Sequence, residues 1–284
     1  MTYFELMLLA KSKCEQFQKE VEAVKFLLLE MSLLSNAEFY LRYKTEAPDE
    51  LVIKYLEAVD DYLINDKPIQ HILGYSYFYG RKFNINENAF IPRLETEELV
   101  ENVLLVFDEY FKEKKDKTKV LDLGTGSGAI SITLSLEEES LEVYASDISI
   151  KALEVAKKTA EDLNGNVKFI NSDWFSNIND KFDIIVSNPP YIPNQEDLDP
   201  IVRKDPSLAL FGGSDGLDFY QKILSEAKDY LNDYSLIAFE HGDKQADRIA
   251  FFANKYLKDP IIKTIKDMQG KNRITLIGLG GVLK

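Results

Sequence analysis

Cysteine is nearly absent: the 284-residue sequence holds one, Cys14. A single thiol excludes both a disulfide framework and a cysteine metal site. Histidine is almost as scarce, and His71 and His241 stand too far apart to form a zinc-binding motif. Long apolar runs are missing too. No stretch reaches the roughly eighteen apolar residues of a membrane span, and no basic segment followed by an apolar one opens the chain. We therefore expect a soluble, unexported protein of the cytoplasm with no membrane partner. Basic residues fall short of acidic ones, 34 against 48, for a net charge of −14. A broad grip on nucleic acid needs clustered Lys and Arg, so no direct nucleic-acid binding is expected. A basic protein partner is compatible with this charge.

What is present suffices for a sizeable core, with 45% apolar and 12% aromatic residues. The length suits one large and one small domain. Residues 1–66 read as a helical domain, because Val21, Val24, Leu28 and Met31 recur at helical spacing. Ser35 or Asn36 is placed to cap a short helix, and Pro48 suits the first turn of another. Residues 67–93 read as a linker with a β-hairpin, since two short aromatic-rich runs flank Gly80. His71 in this segment reads as structural. Residues 94–284 form the large domain, which starts with a helix near Thr96.

From Val120 the pattern alternates strand and helix, the mark of a doubly wound parallel sheet. The strand Val120-Leu121-Asp122-Leu123 runs into Gly124-Thr125-Gly126-Ser127-Gly128, and a helix follows. Glycines let the backbone approach a ligand, and free N–H groups at a helix start favour an anionic group. The next strand ends in Asp147, 19 residues after Gly128, placed to accept from both ribose hydroxyls of a nucleoside. A dinucleotide site usually reads Gly-x-Gly-x-x-Gly, whereas position 129 is Ala. That spacing, with Asp122 in the first strand, favours S-adenosylmethionine over NAD. At the end of a third strand, Asp173 is placed to accept from an exocyclic adenine amine and Trp174 to pack on the ring.

The fourth strand, Phe182 to Val186, is ended by Ser187-Asn188-Pro189-Pro190-Tyr191, because two prolines cannot continue a ladder. The Asn188 side-chain oxygen and the Pro189 carbonyl can both accept from one planar NH2 group. Pro189 and Pro190 restrict φ and hold those acceptors in place, and Tyr191 offers a stacking face. Taken in order, the four loops make a cofactor pocket beside an amino-positioning site. His241 follows a strand in Phe239-Glu240-His241-Gly242 and reads as a loop-shaping residue.

These motifs together resemble class I S-adenosylmethionine-dependent methyltransferases that modify planar amino groups. Further stretches narrow the likeness: Pro68-Ile-Gln-His-Ile-Leu-Gly74, Ile91-Pro-Arg-Leu-Glu-Thr96, Asp205-Pro206 with Ala209 to Gly213, Glu240-His241-Gly242, and Asp267 with Gly270 and Arg273. From about residue 67 onward the chain is similar to the bacterial release-factor glutamine methyltransferases (HemK/PrmC family). The resemblance implies a Rossmann-like, seven-stranded, mostly parallel sheet behind a small all-α N-terminal domain that recognises the release factor. It implies methyl transfer from S-adenosyl-L-methionine to the N5 amide of the glutamine in a Gly-Gly-Gln motif. Gly124, Thr125, Gly126, Ser127, Gly128, Asp147, Asp173, Trp174 and Asn188 would then line the cofactor. Asn188, Pro189, Pro190 and Tyr191 would hold the amide, with Phe90 and Arg93 at the border. Thr159 and Asp205 depart from the family's commoner Asn and Glu. The alternative is an adenine-N6 DNA or RNA methyltransferase, which would use the same acceptor pair.

Overall fold

A computed structural model describes all 284 residues. The chain folds as two compact units, Met1–Ser76 with Leu198–Lys204, and Tyr77–Asp197 with Asp205–Lys284.

The first unit is helical: α1 (Tyr3–Phe17), α2 (Val21–Ser32), α3 (Asn36–Leu41), α4 (Asp49–Ile64) and α5 (Ile69–Leu73). Two starts are fixed by reciprocal capping boxes, Thr2 with Glu5 and Ser35 with Glu38, each satisfying two backbone donors that a helix start leaves orphaned. Leu6, Ala10, Val24, Leu28, Tyr55 and Val59 close the core. Tyr55 is fully buried, and its hydroxyl donates to the Val24 carbonyl at 3.0 Å, so no polar atom is stranded. The unit runs ten residues past the expected boundary at 66, because Ile69 joins this same core.

A hairpin follows, β1 (Tyr75–Phe78) and β2 (Arg81–Asn84). Tyr79 and Gly80 take φ of 50° and 72°, the two left-handed positions of a type I′ turn. The second unit continues with α6 (Leu94–Tyr110), β3 (Thr118–Leu123), α7 (Ala129–Glu137), β4 (Leu141–Asp147), α8 (Ile150–Leu163), β5 (Val167–Asn171) and β6 (Phe182–Ser187). After a long loop come α9 (Asp218–Glu226), β7 (Leu231–Glu240), α10 (Ala246–Tyr256), β8 (Ile261–Lys266) and β9 (Asn272–Leu279).

The seven large-domain strands lie in the order β5-β4-β3-β6-β7-β9-β8. Pairings within β5 to β7 are all parallel, and β9 alone runs antiparallel to both its neighbours. The apolar strands have both faces covered. Ile184 and Val186 of β6 pack into the layer holding Leu99, Val103 and Ile132, while Ile185 packs opposite with Tyr220 and Ile249. From β3 the chain moves outward to β4 and β5, then returns to β6 on the other side of β3. The β3–β6 boundary is thus the topological switch point, where the carboxyl ends of strands open a crevice. Ser187 Oγ donates to the Leu123 carbonyl at 2.6 Å and ties the two strand ends together.

Candidate active site

The loops after β3, β4, β5 and β6 converge on one cavity of about 380 Å³. That is within the ~300–1,000 Å³ typical of small-molecule sites. Its walls include Gly124 to Ser127, Asp147, Asp173, Trp174 and Asn188 to Tyr191, with Phe90 and Phe219. Of the residues expected to line the cofactor, Gly128 alone does not face it, and Arg93 at the border does not either. At φ +81°, a Cβ on Gly128 would stand 2.6 Å from Ile132 Cδ1 and 3.0 Å from Ala156 Cβ. Its role is to let α7 and α8 approach closely.

The glycine turn is held by its own backbone. Gly124 and Thr125 N–H both donate to the Ser146 carbonyl, at 2.8 and 2.9 Å, and Gly128 N–H donates to the Thr125 carbonyl. Gly126 N–H donates to Asp147 Oδ2 at 2.9 Å. Four N–H groups are therefore committed inside the chain, and the turn offers an anion fewer donors than its glycine content suggests. Gly124 instead provides surface: at φ +74°, nothing lies within 4 Å of where its Cβ would be. This open cradle, beside a carboxylate and flat aromatic walls, fits a nucleoside.

Asp147 is the carboxylate. Oδ1 accepts from Ser149 N–H at 2.8 Å while Oδ2 holds Gly126, so the side chain is fixed before any ligand arrives. Burial raises its pKa against the pull of those donors. Two carboxylate oxygens have about four lone-pair sites, so acceptor capacity remains for ribose hydroxyls. Trp174 sits at φ 49°, a left-handed conformation uncommon for a bulky residue. Ser172 Oγ donates to its carbonyl at 2.8 Å, and its ring meets Phe219 at 4.9 Å. Asp173 is exposed at the rim, where Lys222 Nζ lies 3.4 Å from Oδ1.

On the far wall, Asn188 Nδ2 donates to Thr96 Oγ1 at 3.2 Å. Thr96 in turn donates to Glu240 Oε2 at 2.6 Å. The Asn188 Oδ1 and the Pro189 carbonyl make no hydrogen bond within the chain. Gln245 braces the loop from behind, its Nε2 donating to the Tyr191 carbonyl at 2.9 Å and to that of Gly216 at 3.1 Å. Burial pushes the Tyr191 phenol up to about 12, so the ring stays neutral. At the border, Arg93 stacks on Phe90 at 5.0 Å and pairs with Asp205 Oδ2 at 2.7 Å. The commoner Glu at 205 is thus replaced by a shorter acid that still reaches the guanidinium.

His241 lies outside the cavity. Its Nδ1–H donates to the Gly242 carbonyl at 2.9 Å and Nε2 accepts from Thr275 Oγ1 at 2.8 Å, while burial lowers its pKa. A neutral ring with both nitrogens committed ties β7 to the Gly242 loop and to Thr275. Thr96, Glu240, Gln245 and Phe219 were not singled out from sequence as site residues. Thr96 and Glu240 did fall inside motifs of the family resemblance, which was the available signal.

Residues 103–204 match the methyltransferase small domain family. The chain is 37% identical to a release factor glutamine methyltransferase of Bacillus subtilis, covering 96% of each protein. It is 41% identical to one from Francisella tularensis, covering 82% of this chain and 81% of that one. A crystal structure of a methyltransferase from Pyrococcus furiosus superposes with a TM-score of 0.52 at 21% identity, over 81% of this chain and 96% of the other.

Proposed function

The chain belongs to the release factor glutamine methyltransferase family, and from that premise we propose that it methylates the side-chain amide nitrogen (N5) of glutamine in a Gly-Gly-Gln motif of peptide-chain release factors. Its sheet is that of the class I S-adenosylmethionine-dependent methyltransferases. The observation that carries the reading is the pair of uncommitted acceptors, Asn188 Oδ1 and the Pro189 carbonyl, on the wall of the cavity that also holds the glycine turn and Asp147.

S-Adenosylmethionine, when bound, supplies an electrophilic methyl group. The residues to hold it are Gly124 to Ser127, Asp147, Asp173 and Trp174. A carboxamide nitrogen is a poor nucleophile because its lone pair is delocalised into the carbonyl. Asn188 Oδ1 and the Pro189 carbonyl accept one N–H each and so aim the nitrogen into the cavity. Their partial negative charges stabilise positive charge as it develops on that nitrogen. The neutral Tyr191 ring supports the amide plane. No strong base is needed beforehand, because the N–H becomes acidic only as charge develops, and the proton leaves to solvent.

Partner recognition falls to the helical unit in this reading. Leu8, Tyr40 and Leu41 of that unit are 50%, 58% and 83% exposed, so these apolar side chains are open to a partner. No helix of the chain is long and apolar enough to cross a membrane, and we place the enzyme in the cytoplasm with its substrate. The adenine-N6 alternative would use the same acceptor pair but has no support from the family.

Labelled methyl transfer from S-adenosylmethionine to purified release factor, compared with duplex DNA and rRNA, tests this. Label should enter the release factor and disappear when its glutamine is replaced. Faster labelling of DNA or rRNA would overturn the reading.

A further inference from the structure

Three side chains from distant parts of the chain form one hydrogen-bonded line behind the Asn-Pro-Pro-Tyr loop. Glu240 ends β7 and is 1% exposed, and Thr96 lies in the first turn of α6 at 4%. Thr96 Oγ1 donates its only proton to Glu240 Oε2 at 2.6 Å. With that proton committed, the hydroxyl can only accept from Asn188, which it does from Nδ2 at 3.2 Å. The amide must then turn its other end, Oδ1, away from Thr96. We propose that Glu240 and Thr96 are positioning residues which set the hydrogen-bond polarity of Asn188, keeping Oδ1 an acceptor for the substrate's NH2 group. The inference rests on the role given to Asn188 above.

The surroundings of Glu240 bear on whether its carboxyl can act as such an anchor. Glu95 lies beside Thr96 on α6, Arg273 faces it from β9, and Tyr191 and Tyr220 approach from the β6 loop and α9. None of these side chains donates a hydrogen bond to the carboxylate. Arg273 spends its guanidinium on Asp267 Oδ2 at 3.2 Å and the His241 carbonyl at 3.1 Å. Tyr220 Oη donates to the Glu240 backbone carbonyl at 2.7 Å. His241, the next residue, is neutral and bonded elsewhere. Only Thr96 and, more weakly, the Asn188 amide donate to this buried carboxylate. Burying a charge with so few donors is costly, and a merely structural link between α6 and β7 would be better served by apolar side chains. Burial accordingly pushes its pKa up to about 7, against the pull of Thr96, Arg273 and, least, the Asn188 amide.

The sign of the pH effect follows. Above that range Glu240 is ionised, Thr96 donates to it, and Asn188 Oδ1 faces the substrate. Below it, the protonated carboxyl donates to Thr96, whose own proton is freed to donate to Asn188 Oδ1. The amide then settles with its NH2 toward the substrate's NH2, donor against donor, and turnover falls.

The test measures kcat and KM for a release factor from about pH 5.5 to 9 with wild type, Thr96→Val, Thr96→Ser and Glu240→Gln. Thr96→Val should lower kcat about 10-fold or more, with S-adenosylmethionine affinity little changed, and Thr96→Ser should recover most of the loss. Wild-type kcat should fall below about pH 7, and Glu240→Gln, which keeps a neutral acceptor, should lack that acid limb. Unchanged kcat in Thr96→Val, or an acid limb retained in Glu240→Gln, would overturn the proposal. Should Thr96→Val fail to fold, the Glu240→Gln profile decides alone. A wild type that leaves release factors unmethylated counts against the proposed function, a result distinct from either.

Discussion

Beneath the glycine turn, Asp122 is fully buried, with Oδ2 accepting from Thr125 Oγ1 at 2.6 Å and Ser131 N–H at 3.2 Å and Oδ1 left without a partner. Burial pushes its pKa up to about 6. A folded-state pKa above the unfolded value means that the folded state binds the proton more tightly. Stability from this group is therefore present at low pH and lost as pH rises through about 6. Asp122→Asn cannot ionise, so its stability relative to wild type should rise by about 1 kcal/mol between pH 5 and pH 8. Denaturant unfolding at the two pH values measures this, and a constant difference would show that the carboxylate is solvated. Asp147 carries a different load, since it both pins Gly126 and faces the cavity. Asp147→Ala should weaken S-adenosylmethionine binding by roughly 1–3 kcal/mol, the scale for leaving polar partners unpaired. Calorimetry with unchanged affinity would assign the ribose to another residue.

Among the elements, the loop after β6 is only as rigid as the segment behind it. A Cβ on Gly212 would stand 2.2 Å from the Pro190 carbonyl oxygen, and one on Gly216 2.0 Å from that of Tyr191. Gly212→Ala must displace the acceptor loop, at a cost of about 1–3 kcal/mol if it folds. Turnover should fall more than cofactor affinity, because the glycine turn and Asp147 lie on other strands. Equal losses in both would indicate general disruption. This bracing explains what could be read from sequence and what could not. The glycine turn, Asp147, Asp173-Trp174 and Asn188 to Tyr191 are short strings at strand ends, so strand-and-helix periodicity placed them around one crevice. Thr96 and Glu240 meet across 144 positions, and Gln245 reaches Tyr191 across 54. No local spacing encodes such contacts. The same holds for the boundary drawn at residue 66, since Ile69 and Ile201 pack with the helical core through contacts distant in sequence.

For the molecule as a whole, the chain divides into a helical unit and a sheet unit, and the proposed function gives partner capture to the first and chemistry to the second. If the helical unit recognises the release factor, Leu8→Glu combined with Leu41→Glu should raise KM for the factor about 10-fold or more. The kcat and the affinity for S-adenosylmethionine should stay near wild type, as expected for lost binding energy that is uniform along the reaction. Steady-state kinetics with a whole release factor measures it, and an unchanged KM would move recognition to another surface. In the proposed mechanism catalysis stands on the acceptor pair after β6, and Asn188→Ala separates that pair from the cofactor pocket. Turnover of a release factor by this variant, measured beside its S-adenosylmethionine affinity, should fall about 100-fold or more while the affinity falls modestly at most. Near-normal turnover by folded Asn188→Ala would contradict the amide-positioning role.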